Sequence, residues 1–252
     1  MISYFAIYSI IKFRLREYIL EYHYSIFAPI FSNLLYILIF STIDRYYTLS
    51  FDEVSFIEFL IPGLIIMIVA QESYDNPSAS LINSKQIGSF DDFLLAPITR
   101  IEIFISYILS QVLIGFFLAI ISLFIFSFFV EFENYSFFFF YYLILVIIFF
   151  SSLGCIVGFI AFNWDTQSTV SNFFVIPINF LSGTFFSINV LPDNLKAIFI
   201  YNPYYYIVSF FRNSFYYTFE FNLFQNFAIF TFVLCFFILG GFIFYRGYKV
   251  IK

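Results

Sequence analysis

Apolar positions run through this chain in long stretches broken by short polar ones. That is unlike the alternation of a soluble strand or the one-sided stripe of a surface helix. A helix needs about 20 mostly apolar residues to cross a hydrocarbon core. Six stretches approach or exceed that length: residues 25–43, 59–81, 103–130, 137–162, 170–186 and 223–245. The second is polar over half its length, and the fifth is short. None alternates apolar and polar residues as a membrane-barrel strand does. The pattern predicts an all-α polytopic membrane protein of six transmembrane helices, with residues 1–252 forming one membrane domain.

Ahead of the first stretch, Ile7, Ile10, Ile11, Leu15, Tyr18 and Ile19 recur at helical spacing, with Lys12, Arg14 and Arg16 among them. This predicts an amphipathic helix within residues 1–22, lying at the membrane surface. The other reading is an extension of the first membrane helix. A cleavable signal peptide is not expected, because the basic residues sit inside the apolar stretch and no small-residue cleavage site follows.

Composition excludes the soluble classes. Hydrophobic residues make up 62% and charged residues 11%, against about 45–50% and about 25% in soluble domains. Aromatics reach 27%, with 45 Phe and 21 Tyr; most are expected to face lipid or anchor the interface. The sparse basic residues leave no footprint for nucleic acid. Eight of the eleven sort to one side of a six-span topology: Lys12, Arg14, Arg16, Lys85, Arg100, Arg246, Lys249 and Lys252. Arg45, Lys196 and Arg212 fall on the other side with a surplus of acids: Asp44, Asp52, Glu53, Glu58, Glu131, Glu133, Asp193 and Glu220. Lys and Arg are enriched in cytoplasmic loops, so both termini are expected in the cytoplasm.

Several chemistries are missing. A nucleotide-binding Walker loop needs a Gly-Lys pair to reach the phosphates, and none occurs. His23 is the single histidine, which rules out a multi-histidine metal site. Cys155 and Cys235 fall within apolar helices and are expected to be packing residues. No catalytic or metal site is expected, so energy for active transport must come from an ion gradient or a partner.

The few breaks in the apolar pattern carry the candidate sites. In the second stretch, Gln71, Glu72, Asp75 and Asn76 stand just before Pro77. Ionisable groups at membrane depth usually face a bundle interior or a watery cavity. Glu72, Asp75 or Asn76, and Ala79 share one helical face. They form a translocation path or a dimer face, unless Asp75 already lies in cytoplasmic water. Pro77 can bend the helix, with neighbouring Ser or Asn side chains repairing the backbone.

The connection after that stretch, residues 88–97, reads Gly88, Ser89, Phe90, Asp91, Asp92, Phe93, Leu94, Leu95, Ala96 and Pro97. Ser89 as N-cap, acids in the first turn and Pro97 as terminator predict a helix of about two turns. After the fifth stretch come Ser182 and Gly183, then Pro192, Asn202, Pro203 and Arg212. Apolar segments too short to span, broken by prolines, predict re-entrant or interfacial helices over residues 188–212. Gly154 and Gly158 form a small-xxx-small pattern that permits close helix packing.

Pro62-Gly63-Leu64, the stretch from Gly88 to Pro97 and the stretch from Ser182-Gly183 to Arg212 occur in that order. Together they resemble the ABC-2 type transport permeases, in the subfamily of nodulation-factor, drug and polysaccharide exporters. Ile87 stands where many members carry an acidic residue. The resemblance covers nearly the whole chain. It implies a non-catalytic export subunit in a bacterial plasma (inner) membrane. Two copies would form the pathway, driven by two separate ABC ATPases that hold the ATP-Mg. It makes the N-terminal helix an interface helix for the ATPase and makes Gly88, Phe90, Asp91, Asp92, Leu94, Leu95 and Pro97 the coupling segment. Gly183, Pro192, Asn202, Pro203 and Arg212 become the outer re-entrant motif. Three rivals are a secondary carrier using Glu72 and Asp75, a membrane enzyme and a scaffold.

Overall fold

The computed structural model describes residues 3–47, 50–51, 54–130, 136–188, 191–216 and 222–247. Asp52, Glu53, Glu131, Glu133, Glu220, Lys249 and Lys252 lie outside the described residues, as do the side chains of Asp44, Arg45 and Leu94. The described chain is almost entirely helical. Helix α1 (Tyr4–Leu20) leads through a π-helical turn (His23–Phe27) into α2 (Ala28–Tyr47). A two-residue antiparallel pair, β1 (Ser50–Phe51) with β2 (Val54–Ser55), precedes α3 (Phe56–Gln86). There follow α4 (Ser89–Leu95), α5 (Arg100–Phe126), α6 (Phe138–Ile160) and α7 (Trp164–Val170). A second π turn (Ser171–Val175) joins α7 to α8 (Ile176–Phe180), and then come α9 (Asp193–Ile200), α10 (Pro203–Tyr216) and α11 (Leu223–Arg246).

Among the described residues, five helices are long and apolar enough to cross a membrane: His23–Thr42, Phe56–Gln86, Arg100–Phe126, Phe138–Ile160 and Leu223–Arg246. They match five of the six predicted stretches. The predicted fifth stretch, 170–186, differs. Helix begins six residues earlier, at Trp164, and stops at Phe180, where Gly183 turns the chain at φ +75°. The polar run Trp164, Asp165, Thr166 and Gln167 reads as a loop by hydropathy. Its helix is held from outside, by Trp164 donating to Gln86 Oε1 at 2.9 Å and Tyr74 donating to the Gln167 carbonyl at 2.9 Å.

Helix α3 is the axis of the bundle. It packs against α2, α5, α6 and α10 and, at one edge, against α7 and α8. It runs unbroken through Pro62 and Pro77, and the Ser78 hydroxyl caps the Tyr74 carbonyl (2.8 Å) beside the second proline. A capping box of Ser55 with Glu58 starts α3, and one of Thr99 with Glu102 starts α5. The closest contact is with α6. A Cβ on Gly154 would stand 2.4 Å from the Tyr74 carbonyl oxygen, and one on Gly158 would stand 2.8 Å from Ser78 Cα. The small-xxx-small pair therefore lets two backbones meet, as its spacing predicts.

A main core fills the middle of the bundle. A second cluster closes one end, joining Ile10 of α1, Leu81 of α3, Phe90 of α4, Phe104 of α5, Phe159 of α6 and Phe244 of α11. Lys85, Arg100 and Arg246 sit on elements that meet at that end. The largest fully buried side chains are all Phe or Tyr, so the aromatic excess builds the interior as well as the lipid face. Cys155 is buried as expected, whereas Cys235 is exposed on α11.

Replacing Gly154 with Val should force α3 and α6 apart, at about 1–3 kcal/mol for overpacking. Gly241→Ala, whose Cβ would meet nothing closer than 3.7 Å, is the control. Thermal unfolding in detergent, followed by the loss of the monodisperse elution peak, should show a lower midpoint for the Gly154 variant alone.

Candidate functional site

Along α3, Met67, Ile68, Gln71, Glu72, Asp75, Asn76, Ala79, Ser80 and Asn83 recur three or four residues apart, so they share one face. That face borders a cavity of about 890 Å³. Its other walls come from α1 and its C-cap (Arg14, Glu17 and the C-cap Glu21), α2 (Asn33, Tyr36) and the segment from α7 to α8 (Gln167, Ser171, Phe180). The opposite face of α3 carries Tyr74, Pro77 and Ser78 against the α6 glycines. The helix thus divides cleanly into a packed side and a cavity side.

The four residues singled out in the second stretch are brought together on this wall. Asp75 accepts hydrogen bonds from Gln71 Nε2 at 2.7 Å and Gln167 Nε2 at 2.8 Å. Gln71 also donates to the Ser171 hydroxyl at 3.0 Å and accepts from Asn179 Nδ2 at 3.5 Å. These amides tie α3 to α7 and α8. Asp75 sits mid-helix between these two amide donors. Glu72 neighbours the Asn76 amide. Neither carboxylate has a cation within 4.0 Å among the described residues, whose ion pairs are Arg14–Glu17 and Lys196–Asp193.

Arg14 is the buried cation of the site. Its side chain is 2% exposed and donates to Glu17, to the Asn76 side chain and to the Asn76 carbonyl at 3.3 Å. The guanidinium also lies over the Tyr107 ring, 4.8 Å from its centre. On α1 the buried line is Ile10, Arg14 and Tyr18. Ile19, read as part of the apolar face, is exposed instead. Helix α1 is fastened at its start too, where the buried Glu102 carboxylate accepts from the Ser3 N–H and from Thr99.

The other two candidate segments lie elsewhere. Phe90 of α4 is buried against Phe93 and Phe159, while Gly88, Asp91, Asp92, Leu95 and Pro97 are exposed. Gly88, at φ +80°, is the N-cap. Ser89 is instead the first helical residue and turns its hydroxyl to the Ser84 carbonyl. At the far end, Arg212 is buried between elements distant in sequence. It donates to the Phe59 carbonyl (2.9 Å) and the Gly183 carbonyl (2.8 Å), and its guanidinium lies 3.6 Å from the centre of the Phe59 ring. Asn202 caps α10 through the Tyr204 N–H and donates to the Leu181 carbonyl. Pro192 immediately precedes α9, and Pro203 opens α10, where its fixed φ suits a first turn.

The contributions of α1, Asn33, Gln167 and Ser171 to the cavity escape sequence reasoning. The available signals were an Arg14/Glu17 pair at i, i+3 and a lone Asn33 in an apolar span, donating to the Leu64 carbonyl at 3.0 Å. Neither says which helix they meet.

Residues 6–216 match the model of the ABC-2 type transporter family. The chain is 29% identical over 188 residues to the inner membrane transport permease YadH of Escherichia coli (strain K12). That match covers 74% of this chain and 73% of the relative. The proteins of the same name from Escherichia coli O157:H7 and Shigella flexneri match equally well.

Arg14→Ala should loosen α1 from α3. Losing charged hydrogen bonds of this kind costs about 2 kcal/mol. Hydrogen exchange should then speed up across residues 4–20 relative to residues 138–160; unchanged exchange in α1 would show that Arg14 does not hold it.

Proposed function

The chain belongs to the ABC-2 type transporter family, and from that premise we propose that it is the membrane-spanning permease subunit of an ATP-binding-cassette exporter. It acts as a dimer driven by two separate ABC ATPase subunits in a bacterial inner membrane. The observation that carries this reading is the polar cavity along α3, in a chain without a Gly-Lys nucleotide loop. Transport, rather than catalysis on this chain, is what a cavity walled by membrane helices supports. Mg-ATP belongs to the partner.

In this reading the whole chain is one membrane domain with six spans and both termini cytoplasmic. The sixth crossing is the helix of residues 164–180. At about 1.5 Å per residue it reaches about 25 Å, close to the roughly 30 Å hydrocarbon core. The end of the bundle that holds Lys85, Arg100 and Arg246 faces the cytoplasm. Helices α9 and α10 form the outer re-entrant pair, clamped by Gly183, Pro192, Asn202, Pro203 and Arg212.

Force enters at α4. Its exposed Asp91, Asp92 and Leu95 meet the ATPase, while buried Phe90 passes displacement into the cluster it shares with Ile10, Phe104 and Phe244. Helix α1 joins the same cluster and reaches the cavity through Arg14 and Asn76. A rigid-body shift at that end therefore moves two cavity walls, which is what coupling between two conformations needs. The unpaired carboxylates Glu72 and Asp75 favour one rival, an ion-driven carrier.

Co-purification with the candidate ATPase and nucleotide-dependent transport in proteoliposomes test the proposal. Asp91→Lys with Asp92→Lys should weaken the complex at least tenfold without lowering the unfolding midpoint, since both side chains are exposed. Transport that proceeds without any ATPase and stops in Glu72→Gln would replace the exporter with the carrier.

A further inference from the structure

The ionisable residues that line the cavity are Arg14, Glu17, Glu21, Glu72 and Asp75. One cation faces four carboxylates, with neither lysine nor histidine among the lining residues. Arg14 is engaged by Glu17 and Asn76 and also attracts Glu72, and none of Glu21, Glu72 and Asp75 has an ion-pair partner within 4.0 Å among the described residues. Carboxylates on a membrane helix are costly unless something positive meets them.

The cavity is also graded. Along α3 its lining passes from Asn83, Asn76 and Asp75 to Ile68 and Met67, about 24 Å at 1.5 Å per residue. At the Met67 end Tyr36 and Phe180 complete the wall together with Asn33, whose amide is donated to the Leu64 carbonyl. A volume of about 890 Å³ lies within the roughly 300–1,000 Å³ of pockets that hold drug-sized ligands.

Resting on the permease reading, we propose that this cavity selects a drug-sized amphipathic organic cation. Its charged head lies at Glu72 and Asp75, and its apolar body lies against Met67, Tyr36 and Phe180. A phosphate-bearing head would meet like charge, so anionic lipid-linked substrates are disfavoured. An inorganic cation alone would leave the apolar half of the cavity unused.

The test compares two probes of one shape and opposite charge, tetraphenylphosphonium and tetraphenylborate. Each is bound by equilibrium dialysis to the full chain in nanodiscs, and binding to empty nanodiscs is subtracted. The cation should bind at least tenfold tighter than the anion. Glu72→Gln combined with Asp75→Asn should remove that preference while the elution profile stays monodisperse. Equal binding of the two probes to the unaltered protein, or tighter binding of tetraphenylborate, would overturn the proposal without needing any variant. So would a preference that survives in a folded double variant. The measurement uses no ATPase. Failure to form an ATPase complex would therefore remove the exporter reading and leave the cation preference standing, and the reverse holds equally.

Discussion

Lipid is as apolar as a leucine side chain, so membrane helices gain little by hiding apolar surface from it, and their association rests on how closely they fit. The contact of α3 with α6 is the one on which the rest of this structure depends. Gly154 lies under the Tyr74 carbonyl and Gly158 under Ser78, where any side chain would collide with backbone. With that seam closed, α3 becomes a fixed post for α2, α5, α10 and the segment from α7 to α8. The same fit frees the opposite face of α3 from packing duty. Polar residues can stand there because α6 already holds the helix in place.

The end of the bundle that holds Arg212 depends on a different device. Arg212 reaches carbonyls of Phe59 and Gly183, which belong to the start of α3 and to the turn that ends the helix through α8. Gly63 lies next to Thr184, where a Cβ would stand 3.0 Å from the threonine methyl. Three pieces of sequence, near 60, 183 and 212, thus converge on one joint. Their convergence has a physical cause: a guanidinium with several donors can bond carbonyls from two separate segments at once.

Hydropathy made most of the fold legible, because five helices carry enough apolar length to be read directly. It misplaced the helix of residues 164–180, since Trp164 through Thr169 are polar and are held helical by partners on α3 that no local pattern reveals. The cavity wall on α3 was legible too, because Gln71, Glu72, Asp75 and Asn76 violate the apolar rule at helical spacing. The opposing walls were not. Arg14 reads as one more surface charge on an amphipathic helix, yet it is buried against Asn76 and Tyr107. Periodicity tells which face a residue occupies and leaves open what that face meets.

The aromatic excess gains a structural reason from the same constraint. In a lipid solvent, apolar contact alone discriminates poorly between one helix arrangement and another. Rings add direction, because their quadrupoles favour edge-to-face or offset contacts over others. Phe139 meets Phe211 and Phe215 at ring distances of 5.0 and 5.3 Å, which fixes α10 on α6. Phe149 meets Phe232 and Phe236 at 5.1 and 4.9 Å, which fixes α11 on α6. Phe244 stacks on Phe159 at 4.2 Å and approaches Phe104 at 5.2 Å, closing the end where α4 docks. A chain with few polar residues to spare for helix–helix hydrogen bonds can specify its packing through ring geometry instead. Its scarce polar groups then stay where transport would need them, along the cavity.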